Sequence, residues 1–478
     1  MLREAQNWGL LSPDPAIPAF LRLQPIFPYF LRSRLQEPAQ AEVKQAVEYA
    51  FQEYYQQLGS SLDDLLASQD AQEQQVGQFL AGLEYENLVT ALTLALEAQA
   101  SIAGYYDALL RYLEARQDPR RALALFQATL DRFERYPAEK LAGPLGFEFA
   151  SVLGTTANWQ FNLKQYAAAE TSYQKILQLV PQVAQLDHEE AKRLQAKAYH
   201  QLGIVAQEQR QWEQAEQYYQ QALQLKIESN DRYNQASTYH NLGAVAQEQR
   251  QWEQAEQYYQ QALQICIEYD DRYNQAKMYH NLGAVAQKQR QWAQAAQYYQ
   301  QALRLKIEFN DRYGQAKTYE GLAAVAREQR KSEQAAQYLQ QALQLKIETN
   351  DRYEQAKTYH NLGIMALEQH QFEQAEQYYQ QALEIYIEYN DRYSQAGTYG
   401  QFGILERERE QWTQAREYLL RALEIFADYQ DHEGINRTLY SLAHLWQSSH
   451  DAELPAAIAS TLGASREEIE VLLRKSLE

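Results

Sequence analysis

The chain has 478 residues, 45% of them hydrophobic, a formal net charge of −19 and a single cysteine. That allows a sizeable core and excludes wholesale disorder, while the acidic balance disfavours nucleic-acid or membrane-surface binding driven by Lys and Arg. The lone Cys266 rules out an internal disulfide framework and any zinc site needing several thiolates, no apolar run approaches the roughly 20 residues of a membrane span, and the charged, proline-bearing start is no signal peptide, so a reducing cytoplasmic compartment is expected.

Residues 1–35 are apolar and proline-rich, as in Leu10-Leu-Ser-Pro-Asp-Pro and Leu21-Arg-Leu-Gln-Pro-Ile-Phe-Pro-Tyr-Phe-Leu-Arg. The second stretch resembles the end of the winged-helix domain in signal-transduction ATPases with numerous domains. There a strand leads into a His-Pro-Leu helix, and Gln24-Pro25-Ile26 stands here in its place. The resemblance implies the sensor half of a signalling ATPase, with the nucleotide-binding domain absent from this chain, because no Gly-x-x-x-x-Gly-Lys-Ser/Thr phosphate loop occurs. The other reading of the same residues is an apolar cap over the first helix pair.

Residues 36–192 read as helical but irregular. Phe51-Gln-Glu-Tyr-Tyr and Glu84-Tyr-Glu-Asn-Leu-Val-Thr-Ala-Leu open amphipathic stretches. Ala122 to Phe126 and Ala169 to Tyr173 reproduce an alanine-to-aromatic spacing that recurs downstream. Two or three worn repeats are expected here, forming the atypical end that a solenoid requires.

From 193 to 446 the chain repeats itself. Copies begin at Tyr199, Tyr239, Tyr279, Tyr319, Tyr359 and Tyr399, 40 residues apart, with no insertion between them. A fixed punctuation separates them, as in Asn230-Asp-Arg-Tyr and Asp270-Asp-Arg-Tyr. Each copy predicts two helices. Tyr239, Leu242, Gly243 and Ala246 share one face of the first, and Ala255, Tyr259, Ala262 and Cys266 one face of the second. Asp231 and its equivalents suit the N-cap. Gly203, Gly243, Gly283, Gly363 and Gly403, with Ala323 in the slot of the remaining, fourth copy, predict close helix approach within a copy. Tyr219, Tyr259, Tyr299 and Tyr379, with Leu339 and Leu419 in the same slot, are expected to fill the space between copies.

The order aromatic, Leu-Gly, Ala, aromatic, Ala, carried by Tyr239, Leu242, Gly243, Ala255, Tyr259 and Ala262, resembles the tetratricopeptide repeat. The 40-residue period with its Asp-Arg linker is most similar to the repeats of kinesin light chain and of the Leu-Gly-Asn spindle-orientation adaptor. The resemblance implies an all-α, right-handed αα-superhelix with first helices lining a concave groove. Four slots would then face a partner. One holds His200, His240, His280 and His360. The next holds Asn241, Asn281 and Asn361. Two residues before the tyrosine lie Lys197, Lys277, Lys317 and Lys357. Further along come Gln247, Gln287 and Arg327. The asparagines match those that contact peptide backbone in kinesin light chain and in the O-linked GlcNAc transferase superhelix. An amide donates and accepts, so it can pair with a peptide group; each could instead satisfy a neighbouring helix end. Histidines one repeat apart are too distant for a metal ladder, with no acid or thiolate in register. Hydrogen bonding to a peptide or to the next repeat is expected of them.

Residues 447–478 predict a helical cap. Leu462-Gly-Ala-Ser resembles a helix-turn-helix corner, but Glu467, Glu468 and Glu470 would repel phosphate, and Ser465 with Glu468 reads as a capping box. No catalytic motif, cofactor site or metal site emerges. The expected function is a non-catalytic scaffold or sensor that captures an extended peptide or protein segment.

Overall fold

A computed structural model of the chain describes residues 11–13, 21–23, 39, 41–183 and 186–477. Two short strands, β1 (Leu11–Pro13) and β2 (Leu21–Leu23), pair antiparallel with Leu11 opposite Leu23. Gln24-Pro25-Ile26 and the helix expected after it lie outside the described residues. Apart from β1 and β2 the described elements are helical, and the chain divides into two compact units, Met1–Asp231 and Arg232–Glu478.

In the first unit α1 (Ala41–Ala67) and α2 (Ala71–Ala98) form a long hairpin, and α3 (Ala103–Ala115) packs on both. By length and composition α2 is the one described helix that could cross a membrane, which the sequence reading had excluded; in this fold Leu88, Ala91, Leu92 and Ala95 on it are core residues. Then follow α4 (Pro119–Phe133), the short α5 (Ala138–Leu141), α6 (Pro144–Asn162) and α7 (Tyr166–Leu179). Ala122 and Phe126 on α4, and Ala169 and Tyr173 on α7, are buried, as their borrowed spacing implies. The regular pair α8 (His188–Glu208) and α9 (Trp212–Glu228) closes the unit.

The second unit is a run of helix pairs, each packed on the next. They are α10 (Arg232–Glu248) with α11 (Trp252–Glu268), α12 (Arg272–Lys288) with α13 (Trp292–Glu308), and α14 (Arg312–Glu328) with α15 (Ser332–Glu348). After them come α16 (Arg352–Glu368) with α17 (Phe372–Glu388), and α18 (Arg392–Glu408) with α19 (Trp412–Asp428). Helices α20 (His432–Ser449), α21 (Leu454–Leu462) and α22 (Arg466–Leu477) finish it, around a core that includes Leu442, Leu454, Ile458 and Leu473. The box expected at α22 is present: Glu468 N–H donates to Ser465 Oγ at 3.2 Å, and Ser465 N–H to Glu468 Oε2 at 2.9 Å.

Each residue of the Asp-Arg-Tyr punctuation has one task. The residue before it, Asp270, Asn310, Asn350 or Asn390, sits at φ of 53–54° and reverses the chain, in the left-handed region that Asn and Asp tolerate best among non-glycine residues. The aspartate then caps the next helix, with Asn274 N–H donating to Asp271 and Gly314 N–H to Asp311. The arginine reaches the end of the second helix of its own copy: Arg272 to Glu308 at 2.6 Å and Arg312 to Glu348 at 2.7 Å. Three of the tyrosines donate their hydroxyl to the capping aspartate that follows, Tyr233 to Asp271 at 2.9 Å, Tyr353 to Asp391 at 2.7 Å and Tyr393 to Asp431 at 2.9 Å. One tripeptide thus ends a turn, starts a helix, closes a pair and links two pairs.

The small slots pack as the repeat implies. Ala255, Ala295, Ala335, Ala375 and Ala415 are wholly buried. A Cβ added at Gly243 would lie 2.7 Å from Tyr259, and one at Gly283 2.8 Å from Tyr299. The ring therefore lies first on the glycine of its own copy. It also fills the space between copies, as expected: Tyr299 stands against Gly321 of the next copy and shares a core with Leu322 and Val325.

Candidate functional site

Helical periodicity puts Lys317, Glu320, Gly321, Ala324, Arg327 and Glu328 on one stripe of α14. The equivalent stripes of α10, α12, α16 and α18 carry the other slots singled out in the second unit. Lys277, Lys317 and Lys357 are exposed. The ammonium of Lys277 lies 4.4 Å from the ring centre of Tyr273, and that of Lys317 4.3 Å from Tyr313. None of the three makes an ion pair among the described residues, whereas the punctuation arginines do.

The asparagines are half-buried on this stripe. Asn241 Oδ1 lies 3.2 Å from His240 Nδ1. Asn281 and Asn361 make no hydrogen bond within the described residues, so neither satisfies a neighbouring helix end. Gln247 and Gln287 are partly committed, for their carbonyl oxygens accept the buried hydroxyls of Tyr259 at 3.4 Å and Tyr299 at 3.0 Å. Arg327 pairs with Glu368 across to α16 at 2.9 Å.

The histidines chiefly tie copies together. His280 Nδ1 lies 3.1 Å from Thr318 Oγ1 and His360 Nδ1 3.2 Å from Thr398 Oγ1, each 38 residues on. Where Met278 replaces the threonine, His240 turns to Asn241 instead. Burial, with the charges of Lys306 and Lys317 nearby, pushes the pKa of His280 down to about 3; burial lowers that of His360 to about 4. Both rings are neutral at pH 7. Of the two roles left open for them, this geometry is bonding to the next repeat.

Three features of this face escaped sequence reasoning. One is the threonine slot that receives the histidines. The second is a set of lysines buried near the ends of second helices. Lys306 Nζ donates to Gly314 O and Thr318 Oγ1, and burial lowers its pKa to about 8. Lys346 donates to Thr358 Oγ1 and pairs with Glu320, the histidine-slot exception, at 2.6 Å. The visible signal was Glu320 itself, an acid among histidines. The third is a pair of cavities at Leu339 and Leu419. The first, of about 130 Å³, brings Gln287, Arg327 and Asn361 together from three successive first helices. The second, of about 130 Å³, is lined by His360, Gly400, Gln401 and Leu419.

His240 and Lys277 share another cavity, of about 170 Å³, with Cys266 and Met278 in its wall. A thiol therefore does stand near one histidine, contrary to the register argument, but burial raises the Cys266 pKa to about 11 and keeps it protonated. No group of three or more His, Cys, Asp or Glu is placed to hold a metal ion among the described residues. In the first unit, Lys197 and Gln201 line a cavity of about 220 Å³ with Phe147, Asn158 and Tyr173, and the His200 ring lies 5.4 Å from that of Tyr219.

A family profile described as tetratricopeptide repeat matches residues 194–268, 234–308, 274–348 and 314–388. No curated protein sequence matches the chain. Among solved structures it is similar to the apo form of the quorum sensor NprR from B. thuringiensis, with 12% identity and a TM-score of 0.53 over 83% of this chain and 99% of that one. It is also similar to a signal-transduction ATPase with numerous domains carrying a tetratricopeptide repeat sensor, from Pyrococcus horikoshii, at 12% identity and a TM-score of 0.50 over 86% of this chain and 68% of that one. A third similarity is to BtubC (BKLC) from P. vanneervenii, at 18% identity and a TM-score of 0.43 over 49% of this chain and 92% of that one. With the helix pairs, the glycine–tyrosine contacts and the family match in agreement, residues 194–388 are tetratricopeptide repeats.

Proposed function

We propose that the chain is a non-catalytic, cytoplasmic interaction scaffold or sensor that holds an extended peptide or protein segment on its first-helix face. The observation that carries this reading is the asparagine slot: Asn281 and Asn361 are half-buried, lie two copies apart, and leave both amide donor and acceptor unused within the described residues. An extended backbone presents the complementary pair of groups at each residue. Lys277, Lys317 and Lys357 lie on the same stripe, one helical turn towards the N-terminal end, and read side chains.

The test replaces Asn241, Asn281 and Asn361 together by alanine, and titrates the variant against the first partner recovered by affinity purification. Each lost amide contact costs on the order of 1 kcal/mol, so roughly a hundredfold weaker binding is expected. Changing Gln257, Gln260 and Gln297 to alanine instead leaves affinity unchanged. Equal affinity in two variants of undiminished helicity would remove the proposed site.

A second reading makes the chain the sensor arm of a signalling ATPase. The strand Leu21–Leu23, directly before Gln24-Pro25-Ile26, favours it. A phosphate-loop protein copurifying with the chain, or encoded beside it, would support this reading.

A further inference from the structure

The aromatic slot of the second helix is tyrosine in α11, α13 and α17 but leucine at Leu339 in α15 and Leu419 in α19. Elsewhere the ring covers the small residue of the first helix, as Tyr259 covers Gly243 and Tyr299 covers Gly283. At the two leucines the ring is missing, and each has a cavity of about 130 Å³ above it. Ala323, Leu339, Ile364 and Met365 form the apolar side of the first, opposite a polar side that includes Gln287 and Glu328. The second is lined by Gly400, Ile404, Leu419 and Phe426. A Cβ added at Gly397 or Gly400 would meet nothing within 4 Å, so this cavity is open to the face. A cavity of roughly 150 Å³ has room for one benzene-sized group, and each of these offers such a group one apolar wall.

The two cavities lie two copies apart on one face. First helices of adjacent copies touch, α12 with α14 and α16 with α18, and packed helices run roughly 8–10 Å axis to axis. Two copies therefore span roughly 16–20 Å. An extended chain rises ~3.3 Å per residue, with alternate side chains on one side. Side chains entering both cavities are then roughly six positions apart. Between the cavities lies Lys357, and beside the first Lys317, both exposed and without an ion pair among the described residues. Glu320 in the lining of the first cavity is neutralised by Lys346, and Arg327 by Glu368; Glu328 is the carboxylate there without an ion pair among the described residues, against the two lysines.

We propose that the Leu339 and Leu419 cavities are paired anchor sites for an extended acidic segment carrying two aliphatic side chains roughly six positions apart. This rests on the reading of the first-helix face as a peptide site, and adds which segment that face selects. The asparagines hold backbone irrespective of sequence; the two cavities and the lysines set the spacing and the charge.

The probes are fluorescent synthetic peptides in a Glu-Ser background, with two leucines roughly six positions apart, two adjacent leucines, or none. A fourth has Lys in place of every Glu. Anisotropy titration of the full chain should give at least about tenfold tighter binding for the spaced pair than for the others, since burying one leucine contributes more than 1.4 kcal/mol. Refilling the cavities with the residues of the other copies, Ala323→Gly with Leu339→Tyr and Leu419→Tyr, restores a pairing the fold already uses. It should abolish the preference for the spaced pair while leaving weak binding of the leucine-free acidic peptide unchanged. If all acidic peptides bind alike, or the refilled variant keeps the preference, or the spaced peptide does not bind, the anchor sites are refuted. If all acidic peptides bind alike but the Asn241, Asn281 and Asn361 alanine variant loses them, the peptide face stands and only the anchors fall. If that variant also binds unchanged, both fail. Equal binding of the Lys and Glu peptides refutes the charge preference.

Discussion

A methyl group on Gly283 would meet Tyr299 Cδ1 at 2.8 Å, and that ring is 3% exposed and backed by neighbours on every side. The ring cannot yield, so glycine is retained in mid-helix despite its cost of about 1 kcal/mol against alanine. Nature's own variant supports the pairing: the one copy with alanine in the slot, Ala323, is also a copy without the ring, at Leu339. Gly283→Ala should therefore destabilise the chain, by about 1–3 kcal/mol from overpacking. In a Tyr299→Leu background the cost should shrink without vanishing, because a leucine in this slot can still crowd the position, as Leu419 crowds Gly403. Urea titrations of the four chains measure this coupling. An alanine effect of equal size in both backgrounds would mean that the ring is not what selects glycine.

At the scale of elements, adjacent first helices are latched by His280 to Thr318 and His360 to Thr398. The folded pKa values of about 3 and about 4 lie below the ordinary 6.5. In acid the unfolded chain takes up protons that the fold excludes. The contribution of each latch is thus whole above roughly pH 6.5 and lost as the pH falls towards 4. Stability should drop by about 2 kcal/mol per histidine between pH 6.5 and 4.5. The double variant His280→Gln, His360→Gln should lose clearly less over that interval in urea unfolding followed by circular dichroism. Parallel curves would exclude the latch as the source. Such latches also mark the limit of what the sequence reveals. The helix pairs were legible because their signals are local: Asp271 before a helix, Asp270 at a reversal, small residues at helical spacing. The lysine and asparagine stripe was legible for the same reason. The partner of His280 was not, because Thr318 is 38 residues away and only packing brings it near. Lys306 and Lys346 stood where a helix end reads as solvent. Leu339 was visible as an exception, but the space above it exists only once three helices are in place. The long hairpin of α1 and α2, lacking the glycine–tyrosine pair, gave no register at all.

At the scale of the molecule, the second unit is built almost wholly from contacts between neighbouring helices. The junctions share the aspartate cap and the arginine–acid pair, and those of Tyr233, Tyr353 and Tyr393 add the tyrosine–aspartate bond, so one junction should be able to replace another. Deleting residues 352–391 joins Asp351 to Arg392 and rebuilds a junction of the existing type. The shortened chain should fold, keep its helicity per residue, and unfold with a proportionally smaller denaturant dependence, as nearest-neighbour arrays do. Aggregation, or loss of helicity well beyond the deleted residues, would show that the copies are not interchangeable. The same neighbour-only construction has a mechanical side. Pulled from its ends, such an array has no distant tie to share the load, so it yields at one junction while the others stand. Each copy that lets go releases 40 residues, on the order of 130 Å of extended backbone. A bound segment lying across several copies would act as a splint, stiffening only the stretch it spans.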